Sequence, residues 1–289
     1  MMDFLLYLLI LLLFATCASG AVSTSGDGSF QALASGARSI TLYSRQPATG
    51  PFTSRTISSL QPDTTYTFTP DQGGESVSEK TWSELPDRAD YDLLIIGGTA
   101  SGVAAAVTAA RLGMSVALVE ETTRLGGMAS NGLGSADIRD ISRANGFFED
   151  FRRRVVEFYG RGDGLRYEPR VADAVIKSMV YEHDCISRFL RCRFEKPIMR
   201  GLRVEGAIIR DLTSNRVGRI GARVTIDATD AGDFAAACGC GFMVGREARS
   251  PQEPHAGAIY FNNERQEILP AGTGQADRKL QSYAYLMVR

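Results

Sequence analysis

Residues 91–120 constrain the fold of this chain more than any other stretch. They read as a short apolar run (92–96), the turn Gly97-Gly98-Thr99-Ala100-Ser101-Gly102, a helix of small residues, a second apolar run (116–119) and then Glu120. The first run lacks alternation, as expected of a parallel strand covered on both faces. Gly97 permits a sharp turn out of the strand. Gly102 lets the next helix sit close to the sheet, and Ala104, Ala105, Ala106, Ala109 and Ala110 keep that helix thin until Gly113 ends it. A helix starting there points free N–H groups and its positive dipole end at an anion. Glu120, at the end of the second strand, is placed to accept both hydroxyls of a ribose, so the unit predicts a bound dinucleotide diphosphate. An acid at this position argues against a 2′-phosphate. Thr99 departs from the Gly-x-Gly-x-x-Gly pattern, and its Cβ is expected to crowd the approach to the phosphates.

The following residues bear on which dinucleotide. Arg124-Leu125-Gly126-Gly127-Met128-Ala129-Ser130-Asn131-Gly132 succeeds the acid directly, and a glycine pair there allows the chain to fold back along a long cofactor. Here the chain resembles the glutathione-reductase-type flavoproteins, and in particular the FAD-dependent oxidoreductase family whose members open with Gly-Gly-Thr. The resemblance covers residues 90–289. It recurs in Ile226-Asp227-Ala228-Thr229-Asp230-Ala231-Gly232-Asp233, in Cys240-Gly241-Phe242-Met243-Val244-Gly245-Arg246-Glu247 and in Gln281-Ser282-Tyr283-Ala284-Tyr285. It implies FAD as cofactor, with Ala228 and Thr229 passing close to it beside Gly97–Gly102, Glu120, Gly126, Gly127 and Met128. It also makes Thr99 a family trait. Asp230, where the family has glycine, and Leu286, where it more often has arginine, are departures.

If FAD is bound, its ring carries the redox chemistry and the protein supplies position, polarity and exclusion of water. The expected reaction is hydride or two-electron removal from a small organic substrate that the sequence does not identify. His255 is the one residue offered as a base, against the plainer reading of a solvated loop histidine. His183 beside Asp184 reads as a charge pair at a helix end. Two other functions stand beside this one: a secreted flavin-binding or β-module adhesion fragment without turnover, and an NAD-binding dehydrogenase, which Gly126-Gly127 and the 227–233 segment disfavour. Relatives continue past the point where this chain stops at Arg289, so it is expected to be the first portion of an enzyme.

The amino terminus is set apart by the apolar run 4–15, followed by small residues to Ala21. That length suits a signal-peptide core more than a membrane span. Residues 1–20 are therefore expected to be cleaved and the protein exported without a stable span, an uncleaved anchor or lipid tether being the alternative. Residues 21–88 form a β-rich segment and linker. In it, Leu60-x-Pro62-x-Thr64-x-Tyr66-x-Phe68 resembles the tyrosine corner of fibronectin type III sandwiches, and residues 72–88 read as linker into a flavin domain at 89–289.

At 289 residues with a formal net charge of −1, the chain offers no basic face for nucleic acid, and Arg152-Arg153-Arg154 reads as one solvated helical turn. An exported protein could form disulfides, but Cys185, Cys192, Cys238 and Cys240 read as buried thiols. No metal site is expected, since neither histidine has a partner at ligand spacing. Beyond Asn131, helices are expected at 145–159, with Phe147, Phe148, Phe151, Val155 and Phe158 on one apolar face, and at 169–180. Strands follow at 186–190, 204–210 and 223–226. The fold class is α/β: a Rossmann-like βαβ domain with a mixed sheet, preceded by a signal peptide and a short β-rich segment.

Overall fold

The computed structural model describes residues 23–25, 28–45, 52–69, 76–138, 140–262, 264–270 and 272–280. The signal peptide, Cys17 and the Gln281–Tyr285 motif lie outside these residues. The chain divides into two compact units, residues 1–238 and 239–289.

The first unit opens with a four-stranded antiparallel sheet in the order β1-β2-β3-β4, formed by β1 (Ser23–Ser25), β2 (Gly28–Gly36), β3 (Ser39–Arg45) and β4 (Phe52–Ile57). A separate antiparallel pair joins β5 (Thr65–Phe68) to β6 (Val77–Lys80). Ala32, Ile40, Leu60, Phe68 and Val77 close their common core. The Tyr66 hydroxyl bonds back to the chain, accepting from Gln61 N at 2.8 Å.

Residues 77–88 are not a linker. They supply β6, and Trp82 and Leu85 are each only 3 % exposed. Isolated apolar residues in a polar stretch become anchors here: Trp82 joins the core on one face of the main sheet and Leu85 the core on the other.

The main sheet has the order β10-β11-β12-β7-β8-β9. Its strands are β7 (Arg88–Ile96), β8 (Val116–Glu120), β9 (Ile186–Leu190), β10 (Cys192–Arg200), β11 (Arg203–Asp211) and β12 (Val217–Asp227). β12, β7, β8 and β9 run parallel, while β10 and β11 extend the sheet antiparallel, so the architecture is α/β with a mixed sheet. Alternate residues of β7 serve opposite cores. Leu93 and Ile95 pack beneath α1 (Ala100–Arg111), α2 (Gly146–Tyr159) and α3 (Pro169–Tyr181), whereas Leu94 and Ile96 pack with Phe189, Ile209, Ile220 and Phe234. That division explains the apolar run without alternation. α4 (Asp233–Ala237) follows β12.

Several sequence expectations change at this level. Phe151 and Val155 of α2 are buried, but Phe158 is half exposed and stands edge-on to Tyr159. The 152–154 arginines are paired: Arg152 with Glu149, Arg153 with Asp150 and Arg154 with Glu182. Asp184 pairs with Lys80 at 3.0 Å, not with His183. Of the cysteines, Cys192 is buried, which pushes its thiol up to about 12, while Cys185 and Cys240 are exposed.

In the second unit, Arg246 and Asp277 exchange both backbone bonds, and the Arg246 guanidinium also bonds the Asp277 carboxylate. Two short strands, β13 (Phe261–Asn262) and β14 (Glu267–Ile268), pair antiparallel. Gly245 has φ +97°, and a Cβ there would lie 2.1 Å from Asp277 O.

Candidate functional site

The carboxyl ends of β7 and β8 and the start of α1 form a mouth built almost wholly of main chain. Gly97 leaves β7 with φ +104°, and a Cβ on it would sit 2.5 Å from Ala228 O. Gly98 has no room for a side chain either, with Leu125 Cδ2 and the Glu120 side chain within 3.0 Å of its ideal Cβ. A Cβ on Gly102 would lie 2.0 Å from Gly97 O. The glycines are thus required by the packing of protein on itself, before any ligand is considered.

Thr99 is the N-cap of α1. Its hydroxyl accepts from Gly102 N at 3.3 Å and donates to Ala228 O at 2.8 Å. The side chain expected to crowd the phosphates is committed to the helix cap and to the end of β12. Thr99 O takes Val103 N, while the amides of Ala100 and Ser101 have no partner among the described residues. These are orphan donors at the positive end of a helix of 12 residues.

Glu120 is held beside them. One carboxylate oxygen accepts from Gly98 N at 2.8 Å and the other from Thr122 N at 2.7 Å. An ionised carboxylate has about four acceptor positions, so roughly half remain for a ligand. Gly126 N donates to Gly98 O at 2.7 Å and Gly127 lies against Thr99, bringing the second glycine pair onto the first. A wide helical turn over Ala129–Leu133 follows, held by Arg124 Nη1 donating to Ser130 O at 2.6 Å. Met128 is 69 % exposed.

Ala228 closes the opposite side with its carbonyl. The Thr229 hydroxyl donates to Asp227 Oδ1 at 2.7 Å and accepts from Gly232 N and Asp233 N, and Asp227 Oδ2 accepts from Ala235 N. Asp227 and Thr229 therefore build the turn into α4, and Asp230 is exposed. Of the residues read from the sequence, these contacts join the 97–102 turn to Glu120, Gly126, Gly127 and Ala228, with Met128 and Thr229 next to them in the chain. His255 stands exposed in a turn of the second unit, with no hydrogen bond among the described residues. The sequence reading missed Thr122 and Asp173, whose Oδ1 accepts from Leu125 N at 3.2 Å. Asp173, 48 positions from Leu125, carried no signal without that tertiary contact.

These residues fit an adenine dinucleotide. Free amides at a helix start suit a diphosphate, and a tethered carboxylate with spare acceptor capacity suits ribose hydroxyls. Among the described residues no helix is long and apolar enough to cross a membrane.

The family model described as FAD dependent oxidoreductase matches residues 92–288. No curated protein matches the chain. Among solved structures, the chain is similar to Thermovibrio ammonificans THI4 at 21% identity, over 51% of this chain and 61% of that one, with a TM-score of 0.38. A geranylgeranyl bacteriochlorophyll reductase-like protein of Thermoplasma acidophilum is 19% identical over 53% of this chain and 42% of its own, with a TM-score of 0.36. The L-amino acid deaminase of Proteus myxofaciens is 13% identical over 61% and 55%, with a TM-score of 0.39. The chain thus spans less than two thirds of the length of each.

Proposed function

This chain belongs to the FAD dependent oxidoreductase family, with FAD as its cofactor, and on that premise we propose that it oxidises a small organic substrate by two-electron transfer outside the cytoplasm. One observation carries the siting of the cofactor: Glu120 is tied to Gly98 N, in the same turn that leads through the Thr99 cap to the orphan amides of Ala100 and Ser101. In this reading those amides and the α1 dipole hold the diphosphate, Glu120 accepts the ribose hydroxyls, and the 125–128 turn borders the cofactor. Ala228 and Thr229 close the far wall. Bound FAD would supply the electron sink. The chain's own contribution is to fix that group and to shield it with the packed glycine turns. Export rests on the apolar run 4–15 and the small residues after it, with residues 21–88 as an accompanying β-rich module.

The visible absorption spectrum after reconstitution with FAD tests this reading. The wild-type chain and Thr99→Ser, which keeps the capping hydroxyl, are expected to show the two flavin bands. Thr99→Arg, folded by circular dichroism, is expected to lose them because it removes the capping hydroxyl and brings a longer side chain to the start of α1. Unchanged flavin occupancy in Thr99→Arg would remove the diphosphate from this turn.

A further inference from the structure

The 125–127 turn is gripped from two sides, by different means. Toward α1 the grip is main chain, through Gly126 N to Gly98 O at 2.7 Å and a parallel bridge between Thr99 and Gly126. Toward α3 it rests on two side chains. Ile176 Cδ1 would lie 2.3 Å from a Cβ on Gly126, and Asp173 Oδ1 accepts from Leu125 N at 3.2 Å. Leu125 is itself fully buried, so its amide has little access to water in place of this acceptor.

The Asp173 carboxylate is held in turn. Lys177, one helical turn on, brings Nζ to 2.9 Å from Asp173 Oδ2, and the two side chains are 13 % and 15 % exposed. This i,i+4 pair fixes one oxygen on lysine and leaves the other for the turn. Asp173 lies 48 positions from Leu125, and no local motif marks it.

We propose that Asp173, oriented by Lys177, is a positioning residue for the cofactor, holding the Leu125–Gly127 turn in the place where it borders FAD. The role toward FAD rests on the reading under Proposed function. The hold on the turn stands on geometry alone, so the two are tested by separate measurements.

Amide hydrogen exchange of the 122–131 segment in the full chain, without flavin, reports on the turn. Quenching of flavin fluorescence on titration with FAD reports on the cofactor. An orphaned buried amide loosens its segment, so Asp173→Leu is expected to speed exchange at residues 125–127 about tenfold and to weaken FAD binding by about the same factor. Asp173→Asn, which keeps an acceptor oxygen, is expected to bring both back to within about threefold of wild type. A merely structural role would lower the melting temperature of both variants without this rescue in FAD affinity. Unchanged exchange in Asp173→Leu overturns the hold on the turn. Faster exchange with unchanged FAD affinity overturns the role toward the cofactor. Should Asp173→Leu not fold, Lys177→Met decides: exchange about threefold faster at the same amides supports the proposal, and wild-type exchange overturns it. Failure of the wild-type chain to bind FAD would remove the function reading and leave the exchange result standing.

Discussion

At the mouth of the first crossover, Gly97 and Gly102 press main chain on main chain, Gly98 packs under the Leu125 and Glu120 side chains, and the Glu120 carboxylate is tied to two amides. The seam where β5 and β6 meet α3 and β9 is built the other way, from long charged side chains. Arg188 is fully buried, bonds Asp63 and lies 4.5 Å from the centroid of the Tyr181 ring. Among the described residues its Nε and Nη1 have no hydrogen-bond partner, and neither has the indole N–H of Trp82. Glu79, 7 % exposed, accepts from Ala34 N at 3.2 Å. Two ways of joining elements thus sit in one compact unit. The glycine turn is sensitive to added atoms, and the seam to loss of the carboxylate beside Arg188.

The largest expected effect is at the seam. Asp63→Ala leaves the Arg188 cation buried without its carboxylate and is expected to lower the unfolding free energy by about 3–5 kcal/mol. Arg188→Met removes charge and partner need together and is expected to cost far less, measured by urea titration of both variants. Equal losses would make packing, not charge, the basis of the seam.

Next comes the pH dependence of the seam. Burial raises the Glu79 carboxyl from 4.5 to about 7, against the lowering influences of Lys177, the Ala34 amide and Arg188, with Asp173 adding to the rise. The folded chain therefore holds a proton that the unfolded chain has released. Stability is full below pH 4.5 and falls as the pH climbs through about 7, by about 3 kcal/mol for this group. Glu79→Gln should flatten that slope in denaturant titrations from pH 4 to 8. A slope equal to wild type would place the carboxylate in water.

The smallest loss of stability is expected at the mouth. Gly102→Ala sets a Cβ 2.0 Å from Gly97 O, an overpacking of about 1–3 kcal/mol. Its larger signature is weakened FAD binding, since α1 must withdraw from β7. Calorimetric melting with an FAD titration separates the two, and wild-type affinity would contradict the packing of α1 on the turn.

The contrast also explains what could be read from the residues. The mouth was legible because glycine and helix-start patterns act over a few positions, and β9 and α3 were legible because their apolar residues have strand and helix spacing. β10 was missed: it is an edge strand carrying Pro197 and charged residues, with register shifts between Phe194/Lys196 and Ile198/Met199. The seam was illegible for a different reason. Asp63 and Arg188 are 125 positions apart and Lys80 and Asp184 are 104 apart, and nothing near any of them announces its partner. Trp82 and Leu85 misled because single apolar residues in polar text look like linker.

Trp82 and Leu85, each wedged into a different face of the main sheet, govern how the protein can be trimmed. An expression product begun at Arg88 would retain Gly97, Gly98, Gly102, Gly126 and Gly127. It would also strip both wedges and the Asp63 counter-ion from beneath β9, trading a protected underside for a sticky, charged one. The amino-terminal strands are in that sense a foundation course, and subcloning the main-sheet half alone would undermine it.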